Sequence, residues 1–94
     1  PELIDAGCRQ LRELPFYNSF FQCTHPPAIR LAEQLCAIAP PGFERVFFTN
    51  SGSEANDTVI RMVRYYWALQ GQPARQVIIA RRNAYHGSTV GAAS

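Results

Sequence analysis

The chain has 94 residues, 47% of them apolar and 17% charged, with a formal net charge of +2. That length holds at most one domain, and the composition is ordinary for a globular α/β protein. The charge argues against nucleic acid or an anionic membrane as a partner, because all nine basic residues are arginines scattered with no run longer than Arg81-Arg82.

In chain order, residues 2–14 are expected to form a helix, with Leu3, Ile4, Leu11 and Leu14 partly on one face. Phe16-Tyr17-Asn18-Ser19-Phe20-Phe21 is aromatic-rich and expected to be extended. Such a patch is ordinarily core packing; exposed, it would be a subunit interface or the wall of a substrate pocket. Thr24-His25-Pro26-Pro27 reads as a helix entrance, since proline suits the first turn, where its missing N–H would be unpaired anyway. That helix should reach about Ala39, with Ile29, Leu31, Ala32, Leu35, Cys36 and Ile38 as its apolar face. Pro40-Pro41-Gly42 stops it.

Residues 45–49 are apolar enough for a buried strand of a parallel sheet. Ser51-Gly52-Ser53-Glu54 has capping-box spacing, with Ser51 at the cap and Glu54 reaching back. The next helix should run to about Gln70, ended by Gly71 and Pro73. Residues 76–80 read as a second buried strand, and a further helix begins within residues 87–94. Helices alternating with strands imply α/β layering. The missing initiator methionine and the helix starting at residues 87–94 lead us to expect a piece of a longer protein, incomplete at both ends.

Three cysteines, Cys8, Cys23 and Cys36, with no C-x-x-C pair, give no disulfide framework and point to a reducing compartment, the cytoplasm. No apolar run approaches the roughly 20 residues that span a bilayer. His25 and His86 lie in separate loops without clustered cysteine or carboxylate partners, so no metal site is expected.

Two short segments carry chemistry. Residues 47–57, with Ser51-Gly52-Ser53 at their centre, read as a strand running through a tight loop into a helix. That junction presents unpaired N–H groups and the positive end of a helix dipole, which suit a phosphate. A plain capping box has the same local pattern and, on that pattern alone, is the commoner reading. Tyr85-His86-Gly87 follows the second strand, where an aromatic ring can stack on a flat heterocycle or simply pack on its own domain. His86 could be a general base, but a lone histidine is more often a hydrogen-bonded structural residue. Glu54, Asn56 and Asp57 suit the first helical turn through the dipole and need no catalytic role. There is no G-x-G-x-x-G, no G-x-x-x-x-G-K-[ST] and no G-x-S-x-G, and the chain contains no lysine at all.

The run from Phe48 to Thr58, then Arg61-Met62-Val63-Arg64-Tyr65-Tyr66-Trp67, then Tyr85-His86-Gly87-Ser88-Thr89, resembles the class III pyridoxal-phosphate-dependent aminotransferases. The segment Phe16–Phe21 with Thr24-His25-Pro26 is similar to their ω-transaminase (amine–pyruvate) branch, and the resemblance covers nearly the whole chain. It implies an α/β fold in which residues 1–94 are the N-terminal part of a type I large cofactor-binding domain, a mostly parallel sheet flanked by helices. It implies pyridoxal 5'-phosphate as cofactor, with Gly52 and Ser53 on the phosphate through backbone N–H groups and the Ser53 hydroxyl. Tyr85 would stack on the pyridine ring, and His86 and Gly87 would shape that loop. Phe20 would line the substrate pocket of the neighbouring subunit in a homodimer with shared active sites.

The implied reaction is ping-pong transfer of an amino group from a primary amine or ω-amino acid to a keto acid such as pyruvate. The lysine that carries the cofactor and the aspartate that pairs with its ring nitrogen have no counterpart here, so no catalytic residue is assigned and residues 1–94 alone are expected to be inactive. Arg82 stands where this branch usually has tryptophan before Asn83. The rival readings are a non-catalytic phosphate-binding α/β module, which would bind nucleotide without displacement by pyridoxal phosphate, and an interaction piece, which would self-associate without cofactor.

Overall fold

The structure is a computed structural model, described for residues 1–18 and 21–93. The chain divides into two compact units, Pro1–Val46 and Phe47–Ser94. The first holds α1 (Glu2–Glu13) and α2 (Pro26–Ile38), and the second holds α3 (Gly52–Leu69).

In the first unit, α1 ends in an extended residue, Leu14, whose N–H still reaches the Gln10 carbonyl. The α2 entrance follows the expected chemistry. His25 is the N-cap, its Nδ1 accepting the Ala28 N–H at 3.4 Å, and proline fills the first turn. At the far end, Phe43 N–H donates to the Pro40 carbonyl at 3.2 Å, and Gly42 has φ +95. Proline then glycine at the centre of such a turn is the type II signature, and it carries the chain away from the helix axis. α1 and α2 make no packing contact with each other. Cys36 is half-buried, while Leu31, Leu35 and Ile38 of the same face remain exposed. Residues 16–18 adopt no regular element, and Phe21 and Gln22 form a turn with φ +57 and +62 instead of continuing an extended segment. Phe20 lies outside the described residues.

In the second unit, α3 is delimited at both ends by its own sequence. Ser51 Oγ accepts the Glu54 N–H at 3.2 Å, and the Glu54 carboxylate accepts the Asn50 N–H at 2.9 Å. The carboxylate thus reaches one residue further back than in the usual capping box. At the C-terminus, Gly71 N–H donates to Ala68 and Gln72 N–H to Trp67, with Gly71 at φ +71. This is a Schellman motif, and glycine takes its left-handed position without Cβ strain. Beyond it, the Arg75 guanidinium sits 4.1 Å from the Trp67 ring centroid and fastens the returning chain to the helix.

The strands expected at 45–49 and 76–80 do not form: no described residue lies in a strand. A strand exists only as half of a ladder, and neither segment is paired in a ladder among the described residues. Their apolar side chains stay uncovered, Val77 at 87% and Ile79 at 92% of full exposure. Residues 78–80 instead border an open apolar groove along α3, with Val59, Ile60 and Val63 opposite. The one buried residue among those described is Ala92, 7% exposed, where residues 86–92 close onto the start of α3.

Candidate cofactor-binding site

The start of α3 and the segment 86–92 lie far apart in sequence and form a single assembly in the second unit. Ser53 is its hub. Its Oγ accepts the Ser88 N–H at 3.0 Å, and its carbonyl accepts the Thr89 hydroxyl at 3.2 Å. One turn further along α3, the Asn56 side-chain amide donates to the His86 carbonyl at 2.6 Å. Asp57 Oδ1 accepts the Ala92 N–H at 2.8 Å. The Ala93 N–H reaches back to the Thr89 carbonyl at 2.9 Å, so the segment closes one helical turn of its own.

Glycine makes this docking possible. A Cβ on Gly87 would stand 2.5 Å from Ala92 Cβ, 2.8 Å from Ser53 Oγ and 3.0 Å from Ser53 Cα, and Gly87 has φ +143. Gly91 is close to Asp57 in the same way, its would-be Cβ 2.8 Å from Oδ1. The loop lies backbone against side chain on the helix, at distances that only the missing Cβ atoms permit.

Gly52 differs from both. Apart from its chain neighbours and the backbone of its own helix, no atom lies within 4 Å of where its Cβ would be. The N–H groups of Gly52 and Ser53 belong to the first turn and have no intrahelical partner. Together with the helix dipole, they give this end of α3 the character of an anion site. The Ser53 hydroxyl keeps its proton available, because its oxygen is the acceptor in the bond from Ser88. Tyr85 is 83% exposed, one residue before the carbonyl that Asn56 holds. His86 uses that carbonyl for docking, and the residue borders the apolar groove.

Four residues singled out in the sequence, Gly52, Ser53, Tyr85 and His86, therefore belong to one local assembly. Asn56 and Asp57, read from the sequence as dipole-compatible residues only, turn out to be the side chains that fasten the second loop. Their signal was periodicity: Ser53, Asn56, Asp57 and Ile60 recur at helical spacing, a polar stripe that continues into an apolar one. Among the described residues, no three His, Cys, Asp or Glu side chains gather into a metal site. No helix of the described chain is long and apolar enough to cross a membrane.

The family model for aminotransferase class III matches residues 1–94. The chain is 61% identical over 93 residues to the putrescine–pyruvate aminotransferase of Pseudomonas aeruginosa, an alignment covering 99% of this chain and 20% of that protein. It is 47% identical over 95 residues to the mitochondrial gamma aminobutyrate transaminase 1 of Solanum lycopersicum, covering 100% of this chain and 18% of that one. To the vanillin aminotransferase of Capsicum frutescens it is 49% identical over 88 residues, covering 93% and 19%. The chain thus spans about a fifth of the length of these curated relatives. Enzymes of this class depend on pyridoxal phosphate. With the whole chain inside the match and two fifths or more of each alignment identical, the chain belongs to the class III aminotransferases.

Proposed function

We propose that residues 1–94 supply the phosphate turn and the ring-stacking loop of a pyridoxal phosphate site in an ω-transaminase. The observation that carries this reading is the direct bond between the two loops, Ser88 N–H to Ser53 Oγ. It brings the open N-terminus of α3 and the exposed Tyr85 into one frame. The residues present suit the cofactor. Gly52 leaves the turn unobstructed, the Gly52 and Ser53 N–H groups have no intrahelical partner, and the Ser53 hydroxyl has a proton to donate.

In this reading the Gly52 and Ser53 N–H groups and the Ser53 hydroxyl bind the phosphate and fix one end of the cofactor. Tyr85 covers a face of the ring, excludes water from it and sets its tilt. The bound cofactor supplies an aldehyde that accepts the amino group and a pyridinium ring that draws electron density from the substrate carbon. The lysine that holds the cofactor and moves the proton has to come from outside residues 1–94, which contain none. These 94 residues alone are accordingly proposed not to transaminate.

The donor is a primary amine or ω-amino acid and the acceptor a keto acid such as pyruvate, in a ping-pong order. The support is the identity to the putrescine–pyruvate enzyme. Residues 45–49 and 76–80 are proposed to be strands of a mostly parallel sheet, which would cover the apolar side chains now exposed along them. We also place Phe20 in the substrate pocket across the interface of a homodimer, and the enzyme in the cytoplasm, where Cys8, Cys23 and Cys36 stay free thiols.

The test uses the intact protein with pyridoxal phosphate and putrescine or γ-aminobutyrate, with pyruvate as acceptor. Alanine should form, and only when both an amine and pyruvate are present. Absence of alanine with every amine offered, from protein that retains the cofactor, would refute the proposed substrates.

A further inference from the structure

We propose that Asn56 and Asp57 are positioning residues that hold the Tyr85 loop at a fixed distance from the phosphate turn. The proposal rests on the cofactor reading above. Three side chains on one face of α3 grip three points of the loop. Asn56 takes the His86 carbonyl, Ser53 takes the Ser88 N–H and Asp57 takes the Ala92 N–H. Helical geometry puts the residues three and four apart on the same face, so the three grips act as one rigid template.

The cofactor is bound at both ends, by phosphate at Gly52-Ser53 and by ring at Tyr85. Its affinity therefore depends on how far the ring site is preorganised relative to the phosphate site. Asn56 anchors the carbonyl of the residue next to Tyr85 and so controls the ring site. Asp57 anchors the far end of the same segment. Neither side chain takes part in the Ser51–Glu54 capping bonds. Loss of either should loosen the ring site and leave the phosphate turn intact.

The experiment titrates the intact protein with pyridoxal phosphate, following Tyr and Trp fluorescence and the induced visible circular dichroism of the cofactor. Inorganic phosphate is the competitor. For Asn56→Ala and Asp57→Ala the cofactor should bind about tenfold more weakly, the worth of one well-made hydrogen bond. The visible dichroism should fall at saturation, and the inhibition constant of inorganic phosphate should stay put. Asp57→Asn keeps an acceptor oxygen and should restore affinity and dichroism. Unchanged cofactor affinity and dichroism in both alanine variants would overturn the proposal. A parallel loss of phosphate affinity would also overturn it, because it would mark a merely structural role. So would an Asp57→Asn variant as weak as Asp57→Ala. Asn56 is exposed, so Asn56→Ala decides the matter should Asp57→Ala fail to fold. Failure of the unsubstituted protein to bind pyridoxal phosphate would sink the cofactor reading itself.

Discussion

Gly87→Ala is the substitution that strikes the assembly hardest. The new methyl would stand 2.5 Å from Ala92 Cβ, 2.8 Å from Ser53 Oγ and 3.0 Å from Ser53 Cα. Carbon atoms in contact settle near 3.5–4.0 Å, so the loop has to retreat by about an ångström. The Ser53 side chain can rotate away, but its Cα belongs to α3 and Ala92 is the buried contact of the segment. Overpacking of this kind costs about 1–3 kcal/mol. The backbone adds about 1 kcal/mol, because φ at Gly87 is +143, a value that side chains rarely tolerate. The sum, roughly 2–4 kcal/mol, is the scale of the whole docking.

Amide hydrogen exchange in the intact protein reads this directly. The Ser88 and Ala92 N–H groups are protected by Ser53 Oγ and Asp57 Oδ1. Their exchange should accelerate roughly 30-fold or more in Gly87→Ala, while amides in the middle of α3 hold their rates. Unchanged protection at Ser88 and Ala92 would refute the packing argument.

Gly52→Ala is the counterpart, since its methyl meets nothing within 4 Å beyond its chain neighbours and its own helix backbone. Thermal stability should hold to within about 0.5 kcal/mol, whereas pyridoxal phosphate should bind at least tenfold more weakly, read by fluorescence titration, because the methyl crowds the anion. Gly71→Ala should cost about 1 kcal/mol through the left-handed residue of the Schellman motif, measured by urea unfolding, with cofactor affinity unchanged. Ser51→Ala removes the acceptor of the Glu54 N–H and should cost about 1 kcal/mol in the same assay.

The helices were legible in the sequence because their signals are local. Proline at the α2 entrance, the Ser51 and Glu54 caps and Gly71 each act within a few residues, and each helix ends within a residue or two of its expected limit. The candidate site was legible in part. Gly52, Ser53, Tyr85 and His86 could be singled out by residue type and by resemblance, but their joining depends on bonds across 30 to 36 residues. Asn56 and Asp57 were missed because the sequence reading put them in the first helical turn and explained them by the dipole, whereas α3 starts at Gly52 and carries them in its second turn. The strands were read from apolar runs, a signal that reports a wish to be buried and names no ladder partner. Residues 76–80 meet α3 instead, and their exposed side chains show how little one helix can cover.

The central claim is that Gly52-Ser53 and Tyr85 hold the two ends of one phosphorylated cofactor. The most direct measurement compares the affinity of the intact protein for pyridoxal 5'-phosphate with that for pyridoxal, in the unsubstituted protein and in Ser53→Ala. The account predicts that pyridoxal binds about a hundredfold or more weakly, the worth of a charge-assisted phosphate contact. Ser53→Ala should narrow that gap, mostly by weakening the phosphorylated form. Equal affinity for the two compounds, or a gap unmoved by Ser53→Ala, would contradict it.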